Sequence, residues 1–144
     1  MTLYYKISHR GNIFGPNHKE ENSPQYIEEA LKKYDVEIDV WFLNNQFYLG
    51  HDKPDYKIDI SFLKNNKLWC HAKNIEALGE MLKNKIHCFW HQNDDAVLTS
   101  NNFIWTYPGR SINKDFAIAV CPENVNNWDI YNAIGICSDY ISQY

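Results

Sequence analysis

Eight short runs of β-branched and aromatic residues recur along 144 residues, and the spacing between them changes halfway. The runs cover residues 3–9, 35–41, 68–73, 87–92, 96–100, 103–109, 116–123 and 134–140. In the first half the intervals are long enough for helices. "SPQYIEEALKKY" opens with a capping serine, Ser23, and a first-turn proline, Pro24; its Ile27, Ala30 and Leu31 form one apolar stripe. "NIEALGEMLKNK" opens at Asn74, places Ile75, Leu78 and Leu82 on one face and ends in lysine. "DISFLKNN" and "NVNNWDIYNA" carry weaker helical patterns. Alternating strands and helices favour parallel strands joined by crossovers. In the second half the connections are brief. The expectation is an α/β chain with residues 1–144 as one domain, a compact, truncated (β/α)8 TIM-type barrel with several helices of its second half missing. Ordinary barrels of this kind take about 250 residues, so length is the physical objection.

Charge and composition narrow the function classes. The net charge is −4 with both signs interspersed, so the basic face of a nucleic-acid binder is not expected. Aromatic residues make up 15% of the chain, enough to line a pocket in a small domain. No apolar run approaches the roughly 18 residues of a membrane span. "MTLYYKISHRG" lacks the apolar core of a signal peptide, which makes a cytoplasmic location the default. Cys70, Cys88, Cys121 and Cys137 all fall in strand-like runs and no two have CxxC spacing. Buried free thiols are the expected reading.

The chemistry is concentrated in polar residues that interrupt apolar strands. Alternate strand residues share a face. In "VEIDVWFLNNQFYLGHD" Glu37 and Asp39 therefore point one way, with Val36, Ile38 and Val40 opposite. His71 and Lys73 repeat that spacing in "LWCHAK". His9 ends the first strand, followed by Arg10 and a glycine, Gly11, that admits close backbone approach. His91 lies near the end of the fourth. Each taken singly has a plainer reading: carboxylates on a solvated edge strand, a hydrogen-bonded structural histidine, a surface Arg10 or Lys73. Their convergence at the C-terminal ends of several strands, where parallel barrels carry their sites, favours function.

"ISHRGN…EENSPQYIEEALKK…VEIDVWFLNNQFYLGHD" resembles the glycerophosphodiester phosphodiesterases of the phospholipase C-like phosphodiesterase superfamily. Four ordered pieces carry the resemblance from Ile7 to Asp52: His9-Arg10-Gly11, Glu21-Asn22-Ser23, Glu37-Ile38-Asp39 and His51-Asp52. "AIGICSDYISQY" is similar to that family's closing strand, with Asp139 in its aspartate position. "LWCHAKN" stands where the family has E-x-K, so His71 replaces the glutamate and Lys73 keeps the lysine.

The resemblance implies a barrel with a divalent cation at its mouth. Glu37, Asp39 and His71 would be metal ligands, with Glu21 close by. His9 and His51 would act as general acid and base, and Arg10 and Lys73 would bind the substrate phosphate. Mg²⁺ is the first expectation, with Mn²⁺ or Ca²⁺ as alternatives; an imidazole in place of a carboxylate moves preference toward Mn²⁺. His91, Trp105 and Tyr107, with Asp139, are expected to line the pocket. The implied activity is metal-dependent hydrolysis of a small glycerol- or sugar-type phosphodiester. The alternative is a non-catalytic binding module for a phosphorylated sugar or lipid head group. The expected partner is thus a small-molecule phosphodiester, with no nucleic acid and no membrane span; oligomeric state is not set by the sequence.

Overall fold

The computed structural model describes residues 3–144. Its ten strands are β1 (Tyr5–His9), β2 (Asp35–Leu43), β3 (Gln46–Leu49), β4 (Tyr56–Ile58), β5 (Leu68–Ala72), β6 (Cys88–Trp90), β7 (Ala96–Leu98), β8 (Ile104–Thr106), β9 (Ala117–Val120) and β10 (Gly135–Ser138). The α-helices among the described residues are α1 (Pro24–Leu31), α2 (Ile60–Leu63) and α3 (Ile75–Lys83). All three begin on a side-chain cap: Ser23, Asp59 and Asn74 accept from backbone N–H groups of the first turn, satisfying donors that a helix start leaves unpaired.

The strands β6, β5, β2, β1, β10, β9 and β8 run parallel in that spatial order. β3 and β4 add antiparallel strands beyond β2, and β7 pairs antiparallel with β8. The sheet curls until β6 meets the end of β7. There Ser100 N–H donates to Cys88 O and Cys88 N–H donates to Ser100 Oγ, each at 2.9 Å.

This curled mixed sheet corrects the expected (β/α)8 TIM-type barrel. Such a barrel needs about eight crossover helices, and three occur among the described residues. Two of the expected eight runs, Ala96–Leu98 and Ile104–Thr106, are halves of one hairpin, not successive crossover units. The weak helical pattern in "NVNNWDIYNA" also forms no helix. Its Asp129 carboxylate accepts from Tyr131 N–H, a local turn bond that competes with helix formation. The loops around it do a helix's covering work: Trp128, Ile130 and Ile112 pack against Ala119 and Ile136 on the outer face of β9 and β10.

Two faces of the sheet carry separate cores. Outside, Val36, Ile38 and Val40 of β2 and Leu68, Cys70 and Ala72 of β5 pack against Ile27 and Ala30 of α1 and Ala77 and Met81 of α3. Inside, Ile7, Trp69, Phe89, Trp105, Ile118 and Cys137 fill the concavity. Trp69 is central to that layer, with Trp105 at 5.6 Å, Phe103 at 4.8 Å and His87 at 4.5 Å between ring centroids. The alternation along β2 thus sends apolar residues outward and Glu37 and Asp39 inward.

His87 sits in this layer, with Nε2 2.8 Å from Thr99 Oγ1, and burial pushes its pKa down to about 4. The unfolded chain takes up a proton near pH 6.5 that the folded one refuses until about pH 4. Stability from neutral His87 is therefore complete above pH 6.5 and declines from there to pH 4. Allowing for solvent screening at its edge, this is worth roughly 2 kcal/mol. Urea unfolding at pH 7.5 and pH 5 should show a smaller acid loss for His87→Gln than for the wild type; equal losses would contradict the assignment.

Candidate functional site

Strand register sets the site. β1 and β2 are paired with His9 opposite Glu37, and β2 and β5 with Asp39 opposite His71. β10 lies on the other side of β1, with Ser138 opposite Ser8, which brings Asp139 beside His9. Inward-facing residues at the C-terminal ends of four parallel strands thus meet. His9 Nε2 is 3.7 Å from Glu37 Oε2, and His71 Nδ1 is 3.2 Å from Asp39 Oδ1.

The loop after β1 tightens this corner. Arg10 is left-handed (φ 58°) and Gly11 has φ 94°. A Cβ on Gly11 would lie 2.4 Å from Tyr26 Cδ2, so only glycine lets the loop close on α1. Arg10 thereby turns back over the strand ends, its Nε 3.2 Å from Asp39 Oδ2 and its Nη1 donating to Glu21 Oε1 at 3.2 Å. Asn22 completes the clamp. Its Nδ2 donates to Asp39 Oδ2, and Asp39 N–H donates to its Oδ1, both at 2.9 Å.

Glu37 and Asp39 are both buried, which removes the reading of a solvated edge strand. Their environments drive them apart. Burial and the neighbouring Asp39 charge raise the Glu37 pKa. Burial acts against the Asp39 carboxylate too, but His71, Arg10 and Asn22 outweigh it and hold its carboxyl well below the usual range.

His9 is held from both sides. Asp139 Oδ1 lies 2.7 Å from Nδ1, which leaves Nε2 facing Glu37. Burial lowers the His9 pKa, yet the Asp139 bond, the Cys121 thiol and the Glu37 charge prevail and raise it well above 6.5. Asn12 Nδ2 donates to the same Asp139 oxygen at 2.8 Å, and Tyr26 O–H donates to Asn12 Oδ1.

A cavity of about 170 Å³ opens at this point, lined by His9, Arg10, Glu37, His51, His71, His91, Trp105, Tyr107 and Val120. Eight of the twelve residues singled out in the sequence line it, Arg10 and Glu37 among them. His51 reaches it from the end of the β2–β3 hairpin, its Nδ1 2.8 Å from Asp52 Oδ1. Gly50 makes that bend: a Cβ there would lie 1.9 Å from Lys53 O. His91 stacks on Tyr107 with centroids 3.6 Å apart, and His71 stacks on Phe89 at 5.1 Å.

Not every expected residue reaches this lining. Lys73 lies outside it, its backbone N–H bonded to Val40 O. Glu21 faces a neighbouring cavity of about 360 Å³ that shares Arg10 and His51. Asp39 is sealed beneath Arg10, and Asp139 is behind His9. A larger cavity of about 450 Å³ lies elsewhere, against the loop of Ile13, Phe14 and Pro16, and holds none of the titratable cluster.

Three contributors escaped the sequence reading. Asn22 appeared only as part of a motif, and Asn12 had no signal beyond its place after Gly11. Cys121 was assigned to the core, yet its Sγ lies 3.8 Å from His9 Nδ1. The residue before Pro122 at a strand end was the available hint.

Two donor sets could hold a cation. Glu37 Oε1 is buried without a hydrogen-bond partner, and Asp39 Oδ1 has no well-aligned donor, only His71 Nδ1 at 3.2 Å; a cation would relieve both. His71 supports this set: its Nε2 lies 3.4 Å from His91 O, and a proton held there leaves Nδ1 free to ligate beside Asp39. Oxygen donors with one imidazole suit Mg²⁺ or Mn²⁺. The other set is His9, Cys121 and Asp139, whose ligand atoms all lie within 4.8 Å of one another; it is the set that meets this spacing among the described residues.

Set against family models, curated proteins and solved structures, the chain matches none. No helix among the described residues is long and apolar enough to cross a membrane.

Asn22 is the most exposed to test of the supporting residues. Asn22→Ala strips a donor from the buried Asp39 carboxylate and an acceptor from its N–H, and should cost about 1–3 kcal/mol in urea unfolding. A midpoint equal to the wild type's would show that Asn22 does not hold Asp39.

Proposed function

We propose that the protein is a divalent-metal-dependent phosphodiesterase acting on a small glycerol- or sugar-type phosphodiester. One observation carries the reading: His9, Arg10, Glu37, His51 and His71, drawn from strands and loops far apart in sequence, line one cavity of about 170 Å³. The resemblance of residues Ile7–Asp52 to the glycerophosphodiester phosphodiesterases supports the same chemistry. Four buried free cysteines suit a reducing compartment, the cytoplasm.

In this reading the residues divide the work by position. The phosphate anion lies against Arg10, where a guanidinium offers two donors to its oxygens. His51, oriented by Asp52, accepts the proton of the attacking hydroxyl, from water or from a hydroxyl of the substrate itself. As the bond from phosphorus to the leaving oxygen breaks, His9 delivers its proton to that alkoxide. Asp139 keeps the His9 ring turned with Nε2 toward the cavity. A cation held by Glu37, Asp39 and His71, with Glu21 nearby, would add charge stabilisation as negative charge builds on the phosphoryl oxygens. The His91–Tyr107 stack and Trp105 form an aromatic wall for one alcohol group.

A second reading rests on a separate observation. Glu37, Asp39 and His71 do not gather as tightly as the His9 set, which favours a binding module that holds a phosphorylated sugar or lipid head group without turnover.

Hydrolysis of glycerophosphodiesters and an aryl phosphodiester, measured across a panel of divalent metals, separates the two. His9→Ala and His51→Ala should each lower kcat by about 100-fold or more. Wild-type rates no higher than those of the double variant, with ligand binding unaffected by His51→Ala, would replace the enzyme with the binding module.

A further inference from the structure

Cys121 directly follows β9 with φ 45°, the left-handed region, which is uncommon for a residue with a side chain. Its N–H donates to Cys137 O at 2.7 Å, and Pro122 follows. In this pose the thiol lies 3.8 Å from His9 Nδ1, the nitrogen that Asp139 Oδ1 approaches at 2.7 Å. A cysteine nucleophile would need its base and that base's carboxylate partner on opposite ring nitrogens. Here both groups face one nitrogen, as ligands do around a shared centre.

The spacings suit a tetrahedral ion. Zinc bonds of about 2.1 Å to nitrogen or oxygen and about 2.3 Å to sulfur separate neighbouring ligand atoms by roughly 3.3–3.6 Å. That range lies between the 2.7 and 3.8 Å separations from His9 Nδ1, and Cys121 Sγ and Asp139 Oδ1 lie within 4.8 Å of each other, so shifts of about an ångström or less seat an ion. Access exists along the His9 and Asp139 side chains, each 16% exposed. Asn12 and the Glu123 carboxylate, which accepts from Asp139 N–H at 3.0 Å, hold the aspartate in place.

We propose that His9 Nδ1, Cys121 Sγ and Asp139 Oδ1 form a second metal site, selective for a thiophilic divalent cation of the zinc class. A thiolate ligand selects zinc over Mg²⁺ or Ca²⁺, whereas the oxygen-rich set across the His9 ring also accepts Mg²⁺ or Mn²⁺. On binding, the Cys121 thiol and His9 Nδ1 each release their proton to solvent, and a water completes the fourth position. The ring of His9 thus separates a hard-cation face at Nε2 from a soft-cation face at Nδ1. Where the phosphodiesterase reading holds, zinc at Nδ1 withdraws His9 from proton transfer and blocks turnover; this consequence rests on that reading, while the site itself does not.

Cobalt(II) is the probe. Wild-type protein titrated with Co²⁺ should bind one equivalent with a thiolate-to-cobalt charge-transfer band in the near ultraviolet, and Zn²⁺ should abolish the band. Cys121→Ser should lose it, Cys137→Ser should keep it, and Asp139→Asn should weaken binding about tenfold or more. No band in the wild type, a band surviving in Cys121→Ser, or one lost only in Cys137→Ser overturns the proposal. X-ray absorption on the zinc-loaded wild type gives a reading free of any folding defect in the variants. One sulfur at about 2.3 Å supports the site, and a shell of nitrogen and oxygen alone overturns it. A parallel phosphodiester assay at fixed Mg²⁺ should lose most of its rate on adding zinc. Absence of any hydrolysis there counts against the proposed activity, while the cobalt spectrum still decides the metal site.

Discussion

The buried carboxylate of Asp39 is the constraint around which the strand ends are arranged. An ionised carboxylate removed from water is strongly disfavoured unless charges and donors surround it. Three parts of the chain supply them: Asn22 from the turn before α1, Arg10 from the loop after β1 and His71 from β5. None of these residues is near Asp39 in sequence. Satisfying one carboxylate therefore pulls the first strand's loop, the first helix's approach and the third parallel strand toward a single point. The cavity forms above that point because the same residues, turned inward, leave room that apolar side chains would have filled.

Glu37, two residues away on the same face, meets different surroundings. Its partner is a histidine already committed to Asp139, so its carboxyl is left with burial and a like charge. The two carboxylates are chemically unequal although the strand presents them identically. That inequality is what a cation would remove, by giving both oxygens the same partner. His9 has the complementary position, a ring whose two nitrogens face two different kinds of donor.

Much of this was legible in the sequence. The period-two pattern of β2 gave the inward direction of Glu37 and Asp39, and the caps Ser23 and Asn74 marked α1 and α3. Of the candidate residues, His9, Arg10, Glu37, His51, His71, His91, Trp105 and Tyr107 share one cavity. What failed were properties that local pattern does not encode. Strand direction was one: Ala96–Leu98 reads like its neighbours but forms a hairpin with Ile104–Thr106. Counting runs then suggested a repeating unit that the short second half does not contain. Asn22 and Cys121 were missed for a related reason, because their importance comes from left-handed backbone and cross-chain contact. Lys73 shares the parity of His71 yet lies outside the cavity, since the strand ends at Ala72 and alternation ends with it.

The meeting of β6 with the end of β7 has a mechanical consequence. Everywhere else between neighbouring parallel strands the sheet is held by a ladder, whose bonds must break together. At this junction the bonds are few and come from two residues: Ser100, through its backbone and its hydroxyl, and Thr99, whose hydroxyl meets His87. The curled sheet therefore has a clasp, not a continuous hoop. A junction with so few bonds is where such a sheet yields first, by a local opening that need not break the β1–β2–β5 ladders carrying the two carboxylates.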